Sequence, residues 1–358
     1  MSEPGLKLTV YFAERDRVRQ RFLADALADL YERHGIHASI LLRGVAGFGE
    51  RRGLASELSL TLSEGLPAVL VAVDTRERIE RALTEVRDLA AHGLVSIERA
   101  ELVGARLDEA PAADGEAAVK LTLYGGRGRR SGGETGYVAA LDVLHASGVM
   151  AGSVLLGVDG TLRGERRRAR FFARNAGVPL MLVAIGERAP MAAAWPQLAD
   201  LLEDPVATIE RVELCRAHGR TIAPPSVPRD RDDAGRPIWQ QLTVHSEGNA
   251  DHDGHPLHLG LIRALREAGG AGATVLRGVR GFYGEAGPFA DRMLSLERRA
   301  PLQTVIVERP DGIRRIWPVV EELTAQAGLV TSELVPAFHR EPAAAPRGAR
   351  AALARIWE

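Results

Sequence analysis

The chain has 358 residues, 46 of them basic and 47 acidic, and its formal net charge is −1. This balance provides no overall positive field for nucleic acid or for an anionic membrane, so neither is expected as a partner. The one cysteine, Cys215, excludes an internal disulfide framework and a cysteine-rich zinc site. The chain lacks both a secretory-signal pattern and an apolar run near the ~20 residues of a membrane helix, so we expect a cytoplasmic protein without membrane insertion.

The first hundred residues predict six elements in chain order. Alternating apolar residues predict strands, and apolar residues at helical spacing predict helices. The expected order is strand, helix, strand, strand, helix, strand, at residues 6–12, 17–34, 37–43, 67–74, 79–90 and 94–102.

The same pattern occurs three times. The segment Leu8-Thr9-Val10-Tyr11 returns 113 residues later at 121–124 and a further 121 residues later at 242–245. Glycines at 44, 157 and 278, prolines at 67, 179 and 301, and Glu-Leu pairs at 101, 213 and 333 keep nearly the same spacing. Repeats of this length are large enough to build separate cores. The predicted organisation is three repeats at 1–103, 118–215 and 237–338, linkers at 104–117 and 216–236, and a C-terminal tail at 339–358.

The element order predicts an α+β fold, in which each repeat is a ferredoxin-like βαββαβ unit. A lone sheet of this kind would expose one polar face to water. The third strand, 67–74, is instead apolar on both faces. We therefore expect the three sheets to pack around a common axis as a single-chain, monomeric pseudo-trimer. Three independent domains with ordinary buried strands remain the alternative.

A glycine-rich stretch follows the second strand in the first and third copies, at 42–50 and 276–285. Glycines around an aromatic residue allow the backbone to approach another group closely, and the adjacent arginine offers a forked donor for phosphate or carboxylate. A purely conformational role is the alternative. The predicted ligand-binding residues are Arg43, Gly44, Gly47, Phe48, Gly49, Arg277, Gly278, Gly281, Phe282 and Gly284.

The second copy departs from this pattern. Its segment 156–164 lacks the aromatic residue, and a dense positive run follows at 165–170. Charge blocks commonly face water, so this run predicts a solvated helix start, with contact to an anion or a partner as the alternative. The three copies are therefore not expected to bind a ligand identically.

The opening strand, the segment 271–284 and the apolar strand after Pro301 resemble the PII-like family known as domain of unknown function 190 (DUF190). The resemblance extends over all three copies and is weakest in the second. It implies a ferredoxin-like subunit that assembles as a trimer and binds small effectors, often nucleotides, in clefts beside a loop after the second strand. That loop corresponds to 44–57 and 278–292. The resemblance names no specific effector.

The sequence predicts neither a metal site nor an enzyme active site. His252, His255 and His258 have the composition of a metal site, but their spacing is loose, so no metal site is predicted and a metal-binding protein remains an alternative. No nucleophile motif or phosphate-loop pattern is present, so an enzyme is not expected. The expected function is a regulatory protein that binds a small anionic metabolite or nucleotide between repeats and presents mobile loops to a protein target. An interaction scaffold without a small ligand is the other alternative.

Overall fold

The computed structural model describes residues 3–49, 52–57, 65–91, 93–104, 107, 118–128, 130–131, 134–170, 175–231, 237–284, 287–290, 299–326 and 328–339. Nearly all of the predicted first linker and of the predicted C-terminal tail lie outside these residues. The described part is a mixed α/β structure with three repeated regions, called repeat 1, repeat 2 and repeat 3 below. None of the helices in the described segments is long and apolar enough to span a membrane.

Repeat 1 begins with a long strand and has a small hairpin before its first helix. Its elements are β1 (Glu3–Ala13), β2 (Arg17–Val18), β3 (Arg21–Phe22), α1 (Leu23–Arg33), β4 (Ala38–Gly49), β5 (Arg52–Ser56), β6 (Pro67–Thr75), α2 (Arg76–Leu89) and β7 (Leu94–Leu102). The predicted helix over 17–34 is therefore wrong at its start. The helical spacing of Leu23, Leu27 and Leu30 buries one face of α1, whereas residues 17–22 form the β2–β3 hairpin.

Repeat 2 follows the same plan. Its elements are β8 (Ala118–Gly126), β9 (Arg130–Ser131), β10 (Glu134–Thr135), α3 (Gly136–Ala146), β11 (Ala151–Leu156), β12 (Thr161–Leu162), β13 (Glu165–Arg166), β14 (Pro179–Gly186), α4 (Arg188–Leu201), β15 (Val206–Ala217) and β16 (Arg220–Thr221). Strand β15 and its hairpin partner β16 extend into the segment 216–236 that was predicted as the second linker.

Repeat 3 completes the series. Its elements are β17 (Trp239–Glu247), β18 (Asp251–His252), β19 (His255–Pro256), α5 (Leu257–Glu267), β20 (Gly272–Arg277), β21 (Arg280–Tyr283), β22 (Phe289–Ala290), β23 (Pro301–Glu308), α6 (Pro310–Leu323), β24 (Leu329–Val335) and β25 (Ala337–His339).

The four long strands of each repeat pair in the same antiparallel order. That order is fourth, first, third and second, which gives β7-β1-β6-β4, β15-β8-β14-β11 and β24-β17-β23-β20. Each repeat also has an apolar cluster that joins its two helices to its sheet.

A further apolar cluster contains side chains from all three repeats. It includes Ile40 and Val71 of repeat 1, Val183 of repeat 2, and Val305 and Val335 of repeat 3. These residues lie on strands whose other side chains enter the separate cores, since successive side chains of a strand point to opposite faces. Both faces of each sheet are therefore covered, one by helices and one by the other repeats.

Backbone pairing between repeats follows one rule. The end of the second strand, or the strand that follows it, pairs with the second strand of another repeat. The pairs are 44–49 of β4 with β20, β21 with β11, and Leu162 of β12 with Ala38 of β4. These three contacts link repeat 1 to 3, 3 to 2 and 2 to 1. The fourth strands also pair, as β7 with β15 and β15 with β24, and β25, which follows the fourth strand of repeat 3, pairs with β7.

Candidate functional site

The glycine-rich stretch of the first and third repeats forms β structure between repeats. The second strand of repeat 1, predicted to end at Arg43, continues to Gly49, and Gly47 pairs there with Thr274. In repeat 3, Gly281 pairs with Ser153 of repeat 2. The two contact zones, 44–49 with β20 and β21 with β11, are called the 1–3 seam and the 3–2 seam.

The glycines allow two backbones to approach at the seams. A Cβ atom on Gly281 would lie 2.7 Å from the carbonyl oxygen of Gly152, closer than real Cβ contacts. Gly47 meets the carbonyl oxygen of Ala273 in the same way. The structure therefore gives these two glycines a packing role, since glycine is the residue that permits close backbone approach.

The aromatic residue of each stretch is buried in the core of the neighbouring repeat. Phe48 of repeat 1 joins the core of repeat 3, and Phe282 of repeat 3 joins the core of repeat 2. Phe282 packs edge-on against His145, with ring centroids 5.1 Å apart. Both rings anchor one repeat to the next, an arrangement that the sequence pattern did not reveal.

The two predicted arginines differ in their surroundings. Arg43 is largely exposed and forms an ion pair with Glu14 of its own repeat. Arg277 is one-quarter exposed, and its Nη2 donates to Glu57 Oε1 across the 1–3 seam at 2.5 Å. His258, buried beside this pair, has a pKa lowered to about 4 by burial and by the Arg277 charge. An arginine, a carboxylate and a neutral imidazole thus meet at this seam.

The predicted ligand-binding residues therefore do not converge on one place. Most residues of the repeat 1 stretch and Arg277 lie at the 1–3 seam, whereas Gly278, Gly281, Phe282 and Gly284 lie at the 3–2 seam. Gly278 and Gly284 donate backbone hydrogen bonds to Pro301 and Met150, and Gly284 has a left-handed φ of 66°. Their ligand-binding role stays a prediction.

The positive run of repeat 2 does not start a helix. Its first residues form the β12–β13 hairpin, and Arg166 Nη2 contacts Asp159 Oδ2 at 2.5 Å. Arg166 also pairs with Asp29 of α1, and Arg168 contacts Asp25 at 2.9 Å. The predicted helix start is wrong, because residues 165–166 form a hairpin strand. The acidic face of α1 in repeat 1 pairs with Arg166, which is 14% exposed, and with Arg168, which stays 62% exposed.

The three histidines of repeat 3 are not brought together as a metal centre. His252 and His255 pair across the β18–β19 hairpin, whereas His258 is buried in α5. Among the described residues, the group of potential ligands that meets the spacing of a metal site is Glu98, Glu210 and Glu333.

These glutamates belong to a buried charged cluster where the three repeats meet. Each lies on a fourth strand opposite a residue of the first strand: Glu98 opposite Lys7, Glu210 opposite Lys120, and Glu333 opposite Gln241. The spacing of the Glu-Leu pairs aligned Glu333 with Glu101 and Glu213. The strand register corrects this, because Glu333 occupies the place of Glu98 and Glu210.

The cluster forms an open chain of ion pairs. Lys7 contacts Glu98 and lies 2.9 Å from Glu210. Lys120 lies 2.7 Å from Glu210 and also contacts Glu333. Each lysine thus joins the glutamate of its own repeat to that of the next. Lys120 also lies 4.0 Å from Glu98. The third such position is Gln241, so no third lysine ammonium lies between Glu333 and Glu98.

Burial and charge pairing shift the pKa values of this cluster in opposite directions. Burial lowers the pKa of Lys7, but Glu210 and Glu98 outweigh it and raise that pKa well above its usual value. Burial alone would raise the pKa of Glu210, whereas Lys120 and Lys7 lower it to about 2. For Glu98 burial prevails, and its pKa is raised. Two ammonium groups therefore share three carboxyl groups.

A cavity of ≈ 70 Å³ adjoins the cluster. Equivalent residues of the three repeats line it in layers: Lys7, Lys120 and Gln241; Thr9, Thr122 and Thr243; Tyr11, Tyr124 and His245. The space is large enough for several water molecules, since one needs roughly 10–15 Å³. The sequence did contain a signal for this cluster, because Lys7 and Lys120 are the only lysines of the chain and occupy equivalent positions.

Comparison with known families agrees with this threefold layout. The family model DUF190, described as an uncharacterized ACR, matches the chain three times, over residues 5–102, 118–214 and 239–337. The chain belongs to the DUF190 family. The resemblance seen in the sequence is therefore confirmed, together with the three tandem copies.

The similar DUF190 proteins are short. A UPF0166 protein of Aquifex aeolicus is 33% identical over 84 residues, which is 24% of this chain and 86% of that protein. A UPF0166 protein of Methanocaldococcus jannaschii is 29% identical over 91 residues, 25% of this chain and 83% of that protein. One DUF190 repeat here therefore corresponds to nearly a whole relative.

A solved structure, described as an unknown protein from Galdieria sulphuraria, is 14% identical to this DUF190 chain. The match covers 59% of this chain and 99% of that one, with a TM-score of 0.17. A score this low supports no argument about the fold or the function.

Proposed function

We propose that the chain is a non-catalytic, PII-like regulatory protein whose three ferredoxin-like repeats form a single-chain pseudo-trimer. The strand order within each repeat, the apolar cluster shared by all three and the seams that link each pair of repeats support this arrangement. A small anionic effector, a metabolite or a nucleotide, binds between repeats. Its binding changes the loops that the protein presents to a protein target in the cytoplasm.

The observation that carries the proposal is the Arg277–Glu57 pair at the 1–3 seam. Arg277 belongs to repeat 3 and Glu57 to the segment after β5 of repeat 1, so the pair fastens one repeat's loop to another repeat. A guanidinium group binds phosphate or carboxylate with two parallel hydrogen bonds. An anionic effector competes with Glu57 for Arg277 and thereby releases the loop of repeat 1.

This competition makes the seam a switch, because the effector binds one state of the protein more tightly than the other. An effector shifts an equilibrium only by as much as it favours one state over the other. Here the favoured state is the one in which Glu57 has left Arg277. The exposed fraction of the Arg277 side chain, 25%, gives the effector access to the guanidinium group.

The first experiment tests effector binding. A thermal-shift screen with adenine nucleotides, cyclic dinucleotides and common anionic metabolites identifies a ligand, because a molecule that binds only the folded state raises the melting temperature. Titration calorimetry then compares variants. Arg277→Ala is expected to weaken binding by ~1.5–3 kcal/mol, the contribution of one hydrogen bond to a charged group.

Two further variants make the test specific. Glu57→Gln removes the competing charge and is expected to tighten the same ligand, whereas Arg314→Ala, on the exposed surface of α6, is expected to leave its affinity unchanged. Arg43→Ala tests the equivalent arginine of repeat 1. A ligand whose affinity is the same in Arg277→Ala and Glu57→Gln as in the wild type does not bind at this seam. A screen without any hit favours the interaction scaffold.

A further inference from the structure

The charged cluster has a different charge balance from that of a symmetric ring. Three lysines alternating with three glutamates would form a closed ring in which every ammonium group bridges two carboxylates. The third lysine position is Gln241, so three glutamates face two lysines. With all five groups ionised, the cluster carries one buried negative charge, and an uncompensated buried charge is strongly destabilising.

The geometry points to a buried site for a small monovalent cation, placed between Glu98 and Glu333 beside Gln241, where the other two repeats have a lysine ammonium. We propose that Na⁺, K⁺ or NH₄⁺ binds there. Carboxylate oxygens of Glu98, Glu210 and Glu333 lie within 4.8 Å of one another. This separation suits a shared cation, since oxygens bind ions such as Ca²⁺ at about 2.3–2.6 Å.

Unpartnered polar groups provide independent support. Glu98, whose side chain is 5% exposed, has no hydrogen-bond partner for Oε1 among the described residues, whereas its Oε2 is in ion-pair contact with Lys7 and lies 4.0 Å from Lys120. The Tyr124 hydroxyl and His245 Nε2, both buried, line the adjoining cavity and also lack partners. Buried polar groups are normally satisfied, so this part of the cavity is suited to a polar occupant.

The oxygen ligands and the charge count indicate the class of cation. Carboxylates and the Gln241 amide oxygen, which already accepts from the Tyr11 hydroxyl at 3.1 Å, are ligands for hard cations rather than soft ones. One monovalent ion neutralises the cluster. A divalent ion would leave an excess positive charge beside the Lys7 and Lys120 ammonium groups, and like charges at this distance repel.

The test compares stability in different chloride salts at one ionic strength. The full-length wild-type protein is melted in increasing NaCl, KCl or NH₄Cl, with choline chloride as the balancing salt because its quaternary ammonium is too bulky to fit between carboxylate oxygens within 4.8 Å of one another. A bound cation raises the melting temperature as its concentration passes the dissociation constant. We expect such a rise for at least one small cation and none for choline.

Two variants remove the proposed site in different ways. Gln241→Lys supplies the missing ammonium group, a residue that repeats 1 and 2 accommodate at this position, and Glu98→Gln removes the excess negative charge. Both are expected to lose the dependence on the small cation. Gln20→Lys, which adds the same charge at an exposed position, is expected to keep it. Anomalous scattering from a Rb⁺- or Tl⁺-soaked crystal should place the ion between Glu98 and Glu333.

Two results would overturn the proposal. An identical salt response in the wild type, Gln241→Lys and Glu98→Gln would mean that cations act on the surface. A wild type that shows no difference between small cations and choline, but loses stability as the pH rises through the raised pKa of Glu98, would mean that a proton on Glu98 balances the charge instead.

Discussion

His245 occupies the position that Tyr11 and Tyr124 have in the other repeats, and it is buried at the centre of the molecule. Burial and the nearby Lys120 charge lower its pKa to about 3, from an ordinary value of 6.5. The unfolded chain therefore takes up a proton on His245 below about pH 6.5, whereas the folded protein does not until about pH 3. The resulting stability is complete above pH 6.5 and is lost as the pH falls through this window.

We predict that His245→Gln reduces the loss of stability between pH 6.5 and about pH 5. In this range carboxylates contribute less to the pH dependence of stability than they do at lower pH. A single group accounts for at most ~1.4 kcal/mol per pH unit. Urea titrations of the wild type and the variant at several pH values measure the slope. His258, with its pKa lowered to about 4, keeps part of the slope in both proteins.

The exposed His218 provides the control. His218→Gln is expected to leave the slope as in the wild type. If His245→Gln and the wild type lose the same stability over this range, then His245 is accessible to protons in the folded protein, and the central cavity is more open than the structure shows.

Sequence reasoning at the residue scale found the glycine-rich stretches but missed the central cluster. Gly47, Phe48, Gly281 and Phe282 were predicted to bind a ligand, and that role stays a prediction; their contacts between repeats depend on which repeat lies opposite. The cluster was missed because a Glu-Leu pair assigned Glu333 to the wrong register. Charged residues on a strand are normally expected to face solvent. Only the packing of the three sheets against one another shows that these residues are buried.

At the scale of elements, the second strand of repeat 1 is longer than the sequence pattern predicts. The expected strand stopped at Arg43 because glycines are poor strand formers. The observed strand runs to Gly49 because β20 of repeat 3 supplies hydrogen-bond partners for its backbone. Long-range pairing of this kind carries no local signal, whereas β7, at Leu94–Leu102, coincides with its prediction since its pattern is local.

The seam strands lead to a prediction about glycine. Gly281→Ala is expected to destabilise the protein by about 1–3 kcal/mol, the range of an overpacked interior. The new Cβ would meet the Gly152 carbonyl oxygen and Pro301, so the 3–2 seam must open. Urea denaturation measures the change in the free energy of unfolding.

Gly49→Ala is the matched control, because it is also a strand glycine of a seam but its Cβ would meet nothing within 4 Å. We expect a change within about 0.5 kcal/mol for this variant, as for an ordinary surface position. Equal stability of Gly281→Ala and the wild type would show that the two backbones are not in contact at the 3–2 seam.

At the scale of the whole molecule, fusing three DUF190 repeats lets the three seams differ. In a symmetric trimer of identical chains, every interface repeats the same residues. Here two repeats contribute a buried lysine and the third contributes Gln241. Repeat 2 lacks the buried aromatic residue, and its Arg166 instead pairs with Asp29 of α1 and with Asp159. One chain can therefore combine a seam with an exposed ion pair, Arg277 with Glu57, where we propose that the effector binds, with seams that serve packing.

The arrangement predicts a compact monomer. A single chain of 38.6 kDa that packs as one body should have a radius of gyration of about 21 Å by the usual scaling for globular proteins. Three separate domains on linkers would give a clearly larger value and a scattering curve of independent units. Small-angle scattering coupled to size-exclusion chromatography measures both mass and radius. A mass of three chains, or a radius well above that of a compact body, would contradict packing of the repeats within one molecule, because the shared cluster of Ile40, Val183 and Val305 would then be exposed or filled by other chains.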